Sequence, residues 1–298
     1  MKPIASPVPP SLIQDELARL RPDQILLEDG PRVVASFKGT ELPQLMYAIG
    51  RMREICFRAV GEGSGESLDV DRFDASYAQI AGFDRETGAL IGGYRAGKAD
   101  EQISRHGLEG LYTHSLFEFS PHFAPTLLPS VELGRSFVAP EYQRSLHGLP
   151  MLWRALGTWW GRQRGYGGLM GPVSIDRGYS DESIEMILGF LWARHRLPGA
   201  ETMVKPRTPF VPRGGPFLVG GNMPDLRTLE KHLKATEGRG MPVLLRQYLK
   251  LGARVLAFNV DPDFQDCVDA LILVEMDRIH PTRRARFAPS YSEQQAMF

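Results

Sequence analysis

Glu132 and Arg135 stand three residues apart, around Gly134, in the run Val131-Glu-Leu-Gly-Arg-Ser-Phe-Val-Ala-Pro140. A carboxylate near a guanidinium suits a reaction in which one group takes a proton and the other orients an anionic partner. On a regular strand, residues three apart point to opposite faces. A glycine inside a strand often marks a β-bulge, whose extra residue would turn both side chains toward one face. The same pair also fits an ordinary ion pair on an exposed strand face. Downstream, Arg144, His147 and Gly148 occupy a basic loop just before a helical pattern. Unpaired N–H groups and the dipole at a helix start attract phosphate. The order strand, basic loop, helix therefore suits a protein that holds a phosphate-bearing carrier and does proton chemistry beside it. As a bland alternative, Arg144 is a solvated loop cation.

Periodicity supplies the elements that must position these groups. Leu127 to Val138 reads as a strand. Leu149 to Arg164 reads as a helix, with Pro150 in its first turn, Leu149, Leu152, Trp153, Leu156 and Trp160 on one face, and Gly165 as its stop. Upstream, residues 12–21 read as a short helix, Val33 to Phe37 as a strand, and Glu41 to Val60 as an amphipathic helix. The Gly61-Glu-Gly-Ser-Gly65 run ends that helix. It neither follows a strand nor opens a helix, so it reads as a flexible loop rather than a phosphate cradle. Tyr77 to Phe83 and Ala89 to Tyr94 are strands joined by the turn Asp84-Arg-Glu-Thr-Gly88.

Beyond the central helix, Gly168 to Ile175 is a buried strand and Asp181 to Arg194 a helix. A Pro/Gly-rich connection over 206–224 leads to helices at Asp225 to Glu237 and Met241 to Leu251. Strands at Arg254 to Asn259 and Asp269 to Met276 follow, and the end is polar and frayed. Alternating strands and helices predict a mixed α/β sheet. Residues 1–40 read as a lead-in, proline-rich at its start. Residues 41–298 read as one domain with a C-terminal extension from about residue 200.

Composition narrows the function classes. The 298 residues carry 35 basic and 35 acidic side chains, which gives no footprint for bulk nucleic-acid binding. Cys56 and Cys267 form no CxxC pair and fit a reducing cytoplasm. The seven histidines include no HxxxH pair, so no metal site is expected. No apolar run is long enough to span a bilayer.

The stretch from Val131 to Leu156 resembles the central motif of the GNAT acyltransferase superfamily. Within it, the closest likeness is to the ornithine-lipid N-acyltransferases, often labelled hemolysin-like, and their relatives, the acyl-homoserine-lactone synthases. The likeness extends to Arg51-Met-Arg-Glu-Ile-Cys-Phe-Arg58, to Asp69-Val-Asp-Arg-Phe-Asp74, and to the tail Tyr248-Leu-Lys-Leu-Gly-Ala-Arg254 with Asp261-Pro-Asp-Phe264. Arg53 matches the motif arginine, Asp71 and Asp74 the acidic positions, and Phe73 the aromatic one. The resemblance implies that these four form the acceptor side of the site; a charge network on a helix surface is the bland alternative.

The same resemblance implies a GNAT-like mixed sheet with helices on both faces, split by a bulge where a pantetheine arm enters. It implies an N-acyltransferase moving a long, often 3-hydroxy, fatty acyl chain from acyl carrier protein to ornithine or a related amino acid. Glu132 would take the amine proton and Arg135 would orient the acceptor carboxylate or Glu132 itself. N–H groups around Phe137 and Val138 would stabilise the oxyanion, and Tyr179 or water would protonate the departing thiolate. Arg144-Ser-Leu-His-Gly148 departs from the usual Q/R-x-x-G-x-G/A loop, lacking one glycine and losing a donor at Pro150. That departure favours acyl carrier protein over acyl-CoA as donor, with no tightly bound cofactor. Arg283, Arg284 and Arg286 would meet anionic lipid at the inner face of the membrane, or form a solvated tail. Two rivals stand: a lactone-forming signal synthase using S-adenosylmethionine, and a non-catalytic acyl-binding module of the same fold.

Overall fold

The computed structural model describes residues 1–121, 129–212, 224–289 and 291. Along the chain run α1 (Pro10–Ala18), β1 (Ile25–Asp29), β2 (Arg32–Lys38), α2 (Pro43–Arg58), β3 (Ala78–Asp84), β4 (Leu90–Lys98) and α3 (Ala99–His106). Then come β5 (Phe117–Phe119), β6 (Ser130–Val138), α4 (Leu149–Arg162), β7 (Gly168–Ile175), α5 (Asp181–His195), α6 (Ala200–Met203) and β8 (Val204–Pro206). The chain continues through α7 (Leu226–Glu237), α8 (Val243–Lys250), β9 (Arg254–Asp261), β10 (Cys267–Glu275) and α9 (Pro281–Phe287).

Eight strands form one sheet in the order β1-β2-β3-β4-β6-β7-β10-β9, and β5 pairs with β8 in a small second sheet. Every pairing in the large sheet is antiparallel except β6 with β7. Two apolar layers sandwich it. On one face Val34, Ile80 and Ile91 pack with Leu152, Leu156 and Trp160 of α4, whose predicted stripe is the buried one. On the other, Val33, Ala35, Phe37 and Ala81 meet Ile13 and Leu17 of α1 and Leu45, Met46 and Ile49 of α2. The helices thus cover both faces, as expected for a mixed α/β sheet.

Several expectations need correcting. Residues 25–38, expected in the lead-in, form β1 and β2 at the sheet edge, and Val33, Val34 and Ala35 are fully buried. The proline-rich start is tied down: Lys2 N–H donates to Gly65 O at 2.7 Å and Ala5 N–H to Ser67 O at 3.0 Å. The Gly61–Gly65 loop is likewise held rather than free. Buried Glu54 accepts from Ser64 N–H at 3.1 Å, from Ser64 Oγ at 2.6 Å and from Gly65 N–H at 2.9 Å. The predicted strand start at Leu127 and Leu128, most of the 206–224 connection, and residues 290 and 292–298 of the polar end lie outside the described residues, while the first part of that end, expected to be frayed, forms α9 with Phe287 buried. Among the described residues no helix is long and apolar enough to cross a membrane.

Candidate active site

The parallel ladder between β6 and β7 pairs Ser130 with Gly168, Val131 with Leu169 and Glu132 with Met170, and then stops. On its other edge β6 pairs Gly134 with Arg95 and Phe137 with Gly93, so Arg135 and Ser136 together face Tyr94 alone. One extra residue opposite one partner is a bulge. It is centred on Arg135, whose φ of 50° lies in the left-handed region rare for side-chain-bearing residues. Gly134 does not carry it. A Cβ there would meet nothing within 4 Å, so no steric crowding requires glycine at that position. The crowded glycine is across the gap: a Cβ on Gly171 would sit 2.3 Å from Leu133 O.

Where the strands part lies a cavity of about 210 Å³. Gly134, Arg135 and Ser136 line one side, Gly171, Val173 and Ser174 the other, with Leu169, Leu244, Tyr248 and Ile272 forming an apolar portion. Three carboxylates also line it: Glu62, Asp261 and Asp269. The sequence reading did not select them as site residues.

Glu132 does not line this cavity. It is 1% exposed and accepts from Tyr112 N–H at 3.0 Å, from Thr113 N–H at 2.7 Å, and from the hydroxyls of Thr113 and Tyr77. A carboxylate offers about four lone-pair sites, and four donors use them. Arg135 reaches the same tyrosine from the cavity side, donating to Tyr112 Oη at 3.2 Å with its guanidinium 5.0 Å from the ring centroid. It also pairs with Asp69 at 3.1 Å and Asp71 at 3.3 Å. Burial opposes the Arg135 charge, but Tyr112, Asp69 and Asp71 outweigh it and raise its pKa.

Arg53, Asp71, Phe73 and Asp74 do assemble together, but behind the site, and none of them lines the cavity. Fully buried Arg53 donates to Asp74 at 2.8 Å and to Gln79 at 2.6 Å. Asp74 is pushed up by burial and pulled down further by Arg53 and Arg95, ending at about 2. Asp71 accepts from Arg95 at 2.5 Å, and Phe73 packs edge-to-face on Tyr77 and Tyr112. Arg95, buried at the centre of this network, was missed; a lone arginine in the glycine-rich strand Leu90–Lys98 was the available signal.

On the far side, Asp269 of β10 accepts from Ser174 Oγ at 2.8 Å. Burial and the nearby Asp261 push its pKa up to about 7, against the pull of Ser174 and Arg135. Glu62 rises to about 7 through burial and the charges of Asp269, Asp176 and Asp261. Asp261 is also raised, chiefly by burial, while Asp263 N–H donates to it at 3.0 Å. Cys267 lines the cavity, but burial raises its thiol far above the thiolate range.

The loop before α4 spends its own donors. Ser145 N–H bonds Tyr142 O at 3.0 Å, Gly148 N–H bonds Ser145 O at 3.2 Å, and His147 N–H bonds Ser145 Oγ at 3.1 Å. Gly148 is fixed by crowding, since a Cβ there would lie 2.1 Å from Tyr142 O. The His147 ring pairs with Asp29 at 3.1 Å, away from the cavity, and Arg144 is exposed. Phe137 buries its side chain against α2. Ala139 N–H donates to Ile91 O of β4 at 2.9 Å. Strand alternation then turns the Val138 N–H, and not that of Phe137, to the open edge. Tyr179, the expected thiolate acid, is not brought to the cavity: its hydroxyl donates to Gly240 O at 2.6 Å under the Arg239 guanidinium. Arg283 donates to Lys250 O at 2.5 Å and Arg284 pairs with Asp277 at 3.5 Å, while Arg286 is exposed.

Residues 52–154 match the family model described as an acetyltransferase (GNAT) domain. A glycine N(alpha)-acyltransferase of Phocaeicola vulgatus is 30% identical over 271 residues, covering 85% of this chain and 82% of that protein. The chain belongs to the GNAT acyltransferase family. A glycine N(alpha)-acyltransferase of Bacteroides thetaiotaomicron is 28% identical over 312 residues, 98% of this chain and 91% of its own. No solved structure matches. With the split sheet and bulge, these likenesses make the protein a GNAT N-acyltransferase.

Proposed function

We propose that this GNAT enzyme moves a long, 3-hydroxy fatty acyl chain from the phosphopantetheine arm of acyl carrier protein to the α-amino group of ornithine or a related diamino acid, forming a lyso-aminolipid. The observation that carries the reading is the cavity at the parting of β6 and β7, with charged groups on one part and an apolar part ending at Leu244, Tyr248 and Ile272. The pantetheine arm lies between the parted strands, extending the unpaired edge of β6. The Val138 N–H on that edge faces the thioester oxygen. The acyl chain runs toward Leu244 and Tyr248.

Charge supports the acceptor. Glu62, Asp261 and Asp269 face one guanidinium, Arg135. Arg135 pairs with an amino-acid carboxylate. A second ammonium, as in ornithine, offsets carboxylates that glycine would leave uncompensated. Glycine itself is the second reading, favoured by the names of the two relatives. The self-bonded loop before α4 favours a carrier protein over the pyrophosphate of coenzyme A, and exposed Arg144 and Arg154 offer contacts for an acidic carrier.

The test gives purified enzyme one acyl-loaded carrier protein and equal amounts of ornithine, lysine, glycine and S-adenosylmethionine, with products separated by mass. The reading requires N-acyl-ornithine or N-acyl-lysine to dominate. Dominant N-acyl-glycine transfers the assignment to the second reading, and a lactone overturns both.

A further inference from the structure

We infer that Asp269 is the group that takes the proton from the acceptor ammonium, held in place by Ser174 and flanked by the carboxylates of Glu62 and Asp261. The inference rests on the cavity being the site of acyl transfer, and not on which amino acid enters it.

Glu132, the carboxylate that the strand motif singles out, is spent: four donors hold it, and it lies outside the cavity. To accept a proton it would have to give up a hydrogen bond in a closed pocket. Asp269 differs in each respect. It lines the cavity while only 3% exposed. Among the described residues its one side-chain donor is Ser174, its register partner on β7, at 2.8 Å to Oδ1. The groups facing it from the surrounding elements are Arg135 of β6, Asp261 of β9, Glu62 of the loop after α2, Tyr112, and Cys267 on its own strand. Negative charges outnumber the one cation there, which favours a protonated carboxyl after transfer. A pKa of about 7 suits a base working near neutrality.

Tyr94 also lines the cavity and is 2% exposed, with its hydroxyl buried beside Ser136. A buried hydroxyl next to the bulge fits an acceptor atom that arrives with the substrate, such as the thioester oxygen.

The step balances. Asp269 takes one proton from the ammonium, leaving a neutral amine. Nitrogen's lone pair forms the C–N bond to the thioester carbonyl, and the C–S bond pair leaves on sulfur. The nitrogen loses a second proton, which ends on that sulfur as the carrier thiol. The proton on Asp269 passes to solvent.

The experiment compares wild type, Asp269→Asn, Asp269→Glu and Ser174→Ala. Acceptors are any amino acid that wild type acylates and, separately, hydroxylamine, which is already neutral at assay pH. Asp269→Asn should lose roughly a hundredfold in kcat/KM with the ammonium acceptor, lose far less with hydroxylamine, and lose the acid limb of the pH profile. Asp269→Glu should recover part of the loss. Equal losses with both acceptors, or ammonium turnover in Asp269→Asn within about threefold of wild type, would overturn the inference. A readout without turnover closes the gap. The carboxyl infrared band that Asp269→Asn removes should titrate near neutrality, and titration below about pH 5 overturns the inference too. A wild type that acylates only glycine would refute the diamino-acid reading and leave this comparison intact.

Discussion

Glu132 and Arg135 meet at one residue, Tyr112: the carboxylate accepts its backbone N–H at 3.0 Å, and the guanidinium donates to its hydroxyl at 3.2 Å. The bulge therefore does not aim both side chains into the cavity. It lets Arg135 face the cavity while Glu132 anchors the segment against which Arg135 is braced.

For Glu132→Gln this implies a stability defect as well as an activity defect. Glutamine keeps one acceptor oxygen but turns an NH₂ toward groups that donate. Breaking a buried network of this kind costs on the order of 2–4 kcal/mol. A thermal melt should show a drop of several degrees or more. A variant with wild-type melting and a pure turnover defect would return Glu132 to the proton-transfer step.

Arg135→Lys should keep the charge but lose the fork that spans Asp69, Asp71 and Tyr112. Under the proposed role, the acceptor KM should rise about tenfold, equivalent to roughly 1.4 kcal/mol, with the donor KM unchanged. Steady-state kinetics with each substrate varied in turn decides this. A change confined to the donor would contradict it.

Gly171, and not Gly134, should be the intolerant glycine at the split. Gly171→Ala places a methyl against Leu133 O, so the strands must shift where the arm is proposed to enter. Gly134→Ala has open space. The expected outcome is loss of most activity in the first and retention of most in the second. The reverse order would contradict the geometry.

Asp269 also makes a prediction about stability. Its folded pKa of about 7 lies above the unfolded value near 3.9, so between those values the folded state binds the extra proton. Stability from this group is therefore complete at low pH and is lost as pH rises through that window. Asp269→Asn carries no charge to bury. At pH 8 it should be more stable than wild type by on the order of 4 kcal/mol, and the gap should close near pH 4. Paired denaturation curves at the two pH values check the sign.

The strand-loop-helix unit was legible in the sequence because its signals are local. The glycine-interrupted strand, Pro150 in the first turn and the stripe Leu152, Leu156 and Trp160 place β6 and α4 to within a few residues. The bulge was foreseen and its carrier was not, because a positive φ at Arg135 is imposed by the β4 register and Tyr112 rather than by residue type. β1 was missed because Ile25-Leu-Leu-Glu-Asp29 is short and lacks strict alternation, and pairing with β2 stabilises it. The cavity carboxylates come from Glu62, Asp261 and Asp269, and no spacing rule links residues so far apart. Asp269 did carry a signal: it is the one charged residue within the buried run Cys267 to Ile272.

The most direct measurement of the central claim follows amide formation and free thiol together, using purified enzyme, acyl-loaded carrier protein and an amino-acid acceptor. The account predicts N-acyl amino acid and carrier thiol in equal amounts, both depending on the acceptor. Thiol release without amide, or no amide with any amine from either acyl carrier protein or acyl-CoA, would contradict it.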